Sequence, residues 1–176
     1  FPQLIQGPIN RFDQLADQLC APRRFDAAGA KRALLLIGFG MLKKFVIADM
    51  LVKTIAACLD QVTPGTPGSI VVFGILLYSA QQYGDFSGGI DMVRGVSQLF
   101  GVRMAENFRQ PYFSVSLGDF WRRWHITLGA WMRDYVFYPF ALTGAMRRLG
   151  KWAGARLGEH LGRTLPASVA NILVFF

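Results

Sequence analysis

Long apolar stretches separated by short loops that hold many of the lysines and arginines constrain this chain more than any other feature. Ala33 to Leu59 and Ile70 to Tyr83 are apolar and helix-prone, and a further apolar run begins at Ala170 and reaches Phe176. Residues 11–32 carry Arg11, Arg23, Arg24, Lys31 and Arg32, broken by Pro22 and Gly29. Residues 60–68 carry Pro64, Gly65, Pro67 and Gly68 and no basic residue. The β-branched start of 70–83 would permit a strand, but lipid excludes open sheet edges, so these runs are read as helices. The expected fold is all-α: multi-pass membrane helices with broken or re-entrant and interfacial helices. Lys43, Lys44, Asp49 and Lys53 interrupt 33–59. That leaves two readings, one helix whose charges face protein or snorkel, or two helices meeting near the lysines.

Composition supports lipid over water. Hydrophobic residues make up 52% and charged residues 17%, against about 25% charged in soluble domains. A net charge of +8 would suit a nucleic-acid binder, yet the basic residues come between apolar runs instead of collecting on one polar domain, so no nucleic acid is expected. Basic residues accumulate in cytoplasmic loops, which places 11–32 inside and 60–68 outside. Arg94, Arg103 and Arg109, and the tract Arg147, Arg148, Lys151, Arg156 and Arg163, are then cytoplasmic. With both flanks on one side, the aromatic-rich segment 112–142 lies in the interface or re-enters. Residues 1–176 are read as a single internal fragment of a larger domain, incomplete at both ends. The start has no initiator Met or signal-peptide pattern, and the last apolar run is shorter than the about 20 residues a span needs.

Two places concentrate chemistry. On one helix, Trp121, His125, Leu128, Met132 and Tyr135 fall on one face and Arg123, Thr127 and Asp134 on another. His125 among apolar side chains is either a neutral core histidine or an imidazole kept neutral by burial that takes a proton from a hydroxyl. The pattern leaves both open. Upstream, Tyr83 to Met92 sets Gly84, Gly88 and Gly89 beside Asp85, Ser87 and Asp91, read as a broken helix facing a polar cavity. Two carboxylates six residues apart are weak support for a cation site. No nucleophile elbow, phosphate loop or zinc-spaced cluster is present, and Cys20 and Cys58 sit in no metal or redox spacing, so neither metal nor cofactor is expected.

Four motifs carry a resemblance. Phe1-Pro2-Gln3-Leu4-Ile5-Gln6-Gly7-Pro8-Ile9 comes first, then Asp85-Phe86-Ser87-Gly88 with Asp91-Met92. Glu106-Asn107-Phe108 with Gln110-Pro111-Tyr112 follows, and then Phe120-Trp121-Arg122-Arg123-Trp124-His125 with Trp131 and Arg133-Asp134-Tyr135. In this order, as far as about Pro139, they resemble the membrane-bound O-acyltransferase family, in the branch of alginate O-acetylation and D-alanyl lipoteichoic acid transfer proteins. The resemblance implies a helical membrane fold around a funnel, in a bacterial cytoplasmic membrane. An acyl thioester or acyl carrier protein approaches from the cytoplasm, and a polymer hydroxyl or acyl-relay protein from outside. It makes His125 the earlier of two family histidines. The later one, in a Trp-His-Gly motif and usually considered the catalytic base, would lie past Phe176, which leaves His125 to position the donor or assist proton transfer; His160 is read as a solvated loop residue. The implied substrate-binding residues are Asp85, Ser87, Asn107, Trp121, Arg122, Arg123, Trp124, Arg133 and Asp134.

Of these, Trp121 and Trp124 are expected to shape a channel wall and Arg122, Arg123 and Arg133 to anchor it. Ion pairs with Asp119 and Asp134 are the equal alternative, because charges in apolar surroundings are usually paired. Gly89 and Ile90 stand where the family has Tyr and Ser, and Tyr138 to Ala145 lacks the Gly-Gly-Asn-Arg-like ending of the alginate branch. A transporter or channel segment and a membrane scaffold recruiting an acidic acyl carrier are the competing classes.

Overall fold

A computed structural model describes residues 7–22, 24–60 and 62–175, with the side chains from 170 onward excepted. Phe1 to Gln6 of the first motif, Arg23 and the side chains of the closing apolar run lie outside the described residues. Among the described residues every regular element is helical. α1 is Phe12–Cys20, and a long rod follows: α2 Ala27–Met41, a π-helical segment Leu42–Ala48, and α3 Asp49–Leu59. Asp26 starts the rod by accepting a hydrogen bond from the Ala28 amide at 3.0 Å, an N-cap that satisfies an otherwise orphan donor. Both joints, Leu42 and Asp49, keep right-handed helical backbone, so 27–59 is one helix and not two.

α4, Gly68–Leu99, follows Pro67 and packs along α2, the π segment and α3. The break expected at Tyr83–Met92 is absent, because the glycines there serve contact between helices. A Cβ on Gly88 would lie 2.7 Å from the Gly40 carbonyl oxygen, and one on Gly95 would lie 2.8 Å from that of Ala33. Each helical glycine costs about 1 kcal/mol relative to alanine, offset here by backbones that approach closely enough for van der Waals contact. Gly88→Val should therefore overpack the junction by about 1–3 kcal/mol. The full-length protein should lose its monodisperse peak in size-exclusion chromatography at a lower temperature. Gly38→Val, with open space around its Cβ position, should not change it.

The second half is built of shorter pieces: a 3₁₀ turn Pro111–Phe113, α5 Leu117–Arg123, α6 Ile126–Met132, a π turn Arg133–Phe137 and α7 Tyr138–Ala141. α8 Gly144–Leu157 and α9 Glu159–Phe175 form a hairpin whose corner is Gly158, at φ 97°. A Cβ on Gly162 would lie 2.7 Å from the Gly154 Cα, so this pair also meets backbone to backbone. His160, expected in a loop, is in α9 and exposed.

The rod and α4 leave large apolar side chains uncovered, among them Phe39, Met50, Val72 and Leu76. No helix among the described residues is long and apolar enough to cross a membrane. The apolar half of α4 gives way to Gln81, Gln82 and Asp85, and charges interrupt the rod.

Candidate active site

Residues 121–135, expected as one helix, are two helices joined at a sharp turn. Trp124 is extended at φ −100° and ψ 127°, and His125 is left-handed at φ 43° and ψ 53°. A non-glycine residue in that region is strained by roughly 1–2 kcal/mol, so neighbouring contacts must hold it there. The segment around Asn107 does so. The Ile126 amide donates to the Asn107 carbonyl at 2.9 Å, and the Arg109 amide donates to the Arg123 carbonyl at 2.9 Å. Because the chain turns, Trp121 does not share a helical face with His125; it is exposed and packs edge-on against Phe120.

The side chain of Asn107 is 1% exposed and organises the turn. Its Oδ1 accepts from the Thr127 amide at 3.0 Å and from the Thr127 hydroxyl at 2.7 Å. The Thr127 hydroxyl in turn accepts from the Ile9 amide at 2.9 Å. A backbone amide can only donate, which fixes the Asn107 orientation and makes the atom facing His125 an acceptor. His125 Nδ1, 3.3 Å from that oxygen, must then carry the proton. In the neutral ring, Nε2 therefore holds a free lone pair. Burial pulls the His125 pKa below its ordinary value, which favours that neutral form. Asn107 Nδ2 is buried with no hydrogen-bond partner among the described residues.

Aromatic rings enclose the imidazole. Phe86 meets it at 4.9 Å between centroids, nearly perpendicular, and Phe108 lies at 6.3 Å. Trp124 stacks on Phe120 at 5.6 Å and 15° and meets Phe108 at 5.0 Å. Tyr83 and Tyr112 complete this wall. A cleft of about 370 Å³ opens beside the turn, lined in part by Arg11, Glu106, Thr127, Trp131 and Tyr135.

The other sequence-derived residues are held by ion pairs. Asp119 takes both Arg123, at 3.0 Å, and Arg122, at 3.7 Å. The Arg123 hydrogen bond holds the Asp119 carboxyl below the usual carboxylate range. Arg133 meets Asp134 at 3.0 Å, and Arg11 pairs with the same carboxylate, tying the segment before α1 to the π turn. On α4, Asp85 pairs with Lys44, and Ser87 accepts from Lys43 at 3.1 Å. Lys43 reaches Asp91 at 2.5 Å and lies 4.8 Å from the Phe39 ring centroid. The polar cavity expected around Asp85, Ser87 and Asp91 is thus filled by two lysines of the π segment.

His125, Asn107 and Trp124 come together, whereas Asp85 and Ser87 form a separate polar junction between helices. Thr127, Phe86, Phe108 and Lys43 went unassigned as site residues. Thr127 falls away from His125 only on an unbroken helix, and the sequence signal for Lys43 is a charge inside an apolar run, four residues from Phe39.

Fold and site together define a helical protein with a large uncovered apolar surface and a half-buried imidazole presented at a turn between helices. A family model described as MBOAT, membrane-bound O-acyltransferase family, matches residues 1–153. The chain is 44% identical over 140 residues to a probable alginate O-acetylase AlgI of Pseudomonas syringae, covering 78% of this chain and 26% of that protein. It is 34% identical to a peptidoglycan O-acetyltransferase of Helicobacter pylori, covering 79% and 27%. It is 32% identical to a teichoic acid D-alanyltransferase of Bacillus subtilis, covering 80% and 36%. The chain belongs to the membrane-bound O-acyltransferase family, and it spans about a quarter to a third of the length of these relatives.

Proposed function

We propose that this chain serves a multi-pass membrane O-acyltransferase that moves an acyl group from a thioester or carrier donor to hydroxyls of an extracytoplasmic polymer. The observation that carries this reading is the His125 Nε2 lone pair, fixed by the Asn107 and Thr127 hydrogen bonds at a half-buried turn. A hydroxyl oxygen attacks the thioester carbonyl while Nε2 accepts its proton; the tetrahedral oxyanion collapses, the C–S bond breaks, and the imidazolium returns the proton to the departing thiolate. Trp124, Phe86 and Phe108 keep bulk water from the imidazole. Arg122, Arg123, Arg133 and Asp134 hold the frame through their ion pairs. Asp85 and Ser87 would meet substrate only by releasing Lys44 and Lys43, so support for a binding role rests on Asn107 and Trp124.

The rod and α4 are read as lying in the bacterial cytoplasmic membrane with their apolar sides to lipid, and the basic ends as cytoplasmic. The higher identity to alginate O-acetylases than to the D-alanyltransferase favours acetyl over D-alanyl. Membranes containing the full-length protein, given an acetyl-labelled thioester and a polysaccharide acceptor, should place base-labile label on the polymer. Label that never leaves the donor, with protein, donor and acceptor all present, would refute the assignment.

A further inference from the structure

We propose that the hollow where residues 24–26 and the start of α2 meet the end of α4 binds the headgroup of an anionic phospholipid. The proposal rests on the membrane reading above. Two adjoining hollows share Arg24 and Gln98 but differ in character. One, of about 240 Å³, adds Arg32 and Arg103. The other, of about 200 Å³, adds Phe25, Leu99 and Phe100. A basic half that fits a phosphate therefore adjoins an apolar half that fits the first part of an acyl chain.

The arginines are available. Arg24 and Arg103 make no ion pair among the described residues, and Arg32 has only a 3.8 Å contact with Asp26. Asp26, the one acid lining the hollow, is engaged on the Ala28 amide as the helix cap. Three guanidinium groups against one carboxylate leave an excess positive charge, and guanidinium forks match phosphate oxygens.

The apolar half points to lipid over a soluble phosphate. Phe25 is 87% exposed and Phe100 65%, and they stand at the end of the apolar sides of α2 and α4, where Leu34 and Leu35 are also exposed. Aromatic and basic residues together at helix ends are the composition of a membrane interface. A free phosphate would use the arginines and leave these rings in water.

The full-length protein, purified in mild detergent, can be titrated with phosphatidylglycerol and phosphatidylethanolamine and read by native mass spectrometry. Wild type should retain phosphatidylglycerol at least tenfold better than phosphatidylethanolamine. The triple variant Arg24→Gln, Arg32→Gln, Arg103→Gln should lose that preference. The Arg→Lys triple should keep most of it, as should Arg147→Gln with Arg148→Gln elsewhere on the surface. Equal retention of the two lipids by wild type, or unchanged preference in the Gln triple, overturns the proposal. So does displacement of phosphatidylglycerol by millimolar inorganic phosphate alone, which would make this a soluble-anion site. Should the Gln triple not fold, the wild-type comparison and the Lys triple decide. Release of the wild-type protein from membranes by alkaline carbonate would defeat the membrane reading instead, a result separate from any lipid preference.

Discussion

His125→Ala in the full-length protein should lower acyl transfer about 100-fold or more, the usual contribution of a positioned acid or base, while the amount of protein in the membrane stays the same. His125→Gln separates chemistry from architecture. It retains much of the size and hydrogen bonding at the turn but cannot cycle a proton, so it should remain as inactive as the alanine variant. Recovery of activity with glutamine would make the residue structural. The pH profile supplies a second, independent reading. Burial holds the imidazole pKa below its ordinary 6.5, so the neutral base predominates at neutral pH. Turnover should be level upward from there and fall as acid protonates Nε2. A rate that keeps climbing through the alkaline range would identify a different base.

Asp91→Ala should produce the largest loss of stability. Lys43, on the π segment, faces α4 with its ammonium 2.5 Å from Asp91, and the two side chains are only 11% and 14% exposed. Removing the carboxylate strands a buried cation with Ser87 as its remaining polar contact, at a cost of about 3–5 kcal/mol. Removing both charges is a different experiment. Lys43→Met with Asp91→Leu replaces the pair by apolar groups, and the double variant should recover most of the loss, because neither charge is left unpaired. Arg94, 3.5 Å from Asp91, retains Glu106 at 3.5 Å in that variant. Thermal unfolding of the detergent-solubilised protein measures both. A double variant no better than Asp91→Ala would show that the pair's role is not charge compensation.

The helical class and the family were legible in the sequence because apolar runs and a long motif survive in one dimension. What failed were inferences that depended on a partner element. Gly84, Gly88 and Gly89 in isolation signal a break, and the Lys43 and Gly40 backbone opposite Gly84 and Gly88 shows why the helix continues. Trp121 and His125 share a face on an ideal helix, but hydrogen bonds from a segment some 18 residues earlier pull the chain out of register at Trp124. Asn107 belongs to a motif, but its grip on the imidazole depends on Thr127, which helical periodicity assigns to the other side. Lys43 and Lys44 interrupt an apolar run, and their partners, Asp91 and Asp85, are on the next helix.

The π segment has a consequence for chain length. The residues of the rod buried below a tenth of their surface are Ala33, Gly40, Lys43, Ala48 and Ile55, a stripe whose spacings of seven and three suit ordinary helix. The exception is the five-residue step from Lys43 to Ala48, and it coincides with Leu42–Ala48, where the wider turn accommodates one residue more. A one-residue deletion at Val46, which points outward, would shorten that step to four and let regular α-helix run through without moving the stripe off α4. The rod can therefore lose a residue at this point and keep its phase. The two lysines' reach would change, since the segment that lets consecutive side chains both engage α4 would be gone. Variation in length here acts on the charged junction and spares the packing on either side.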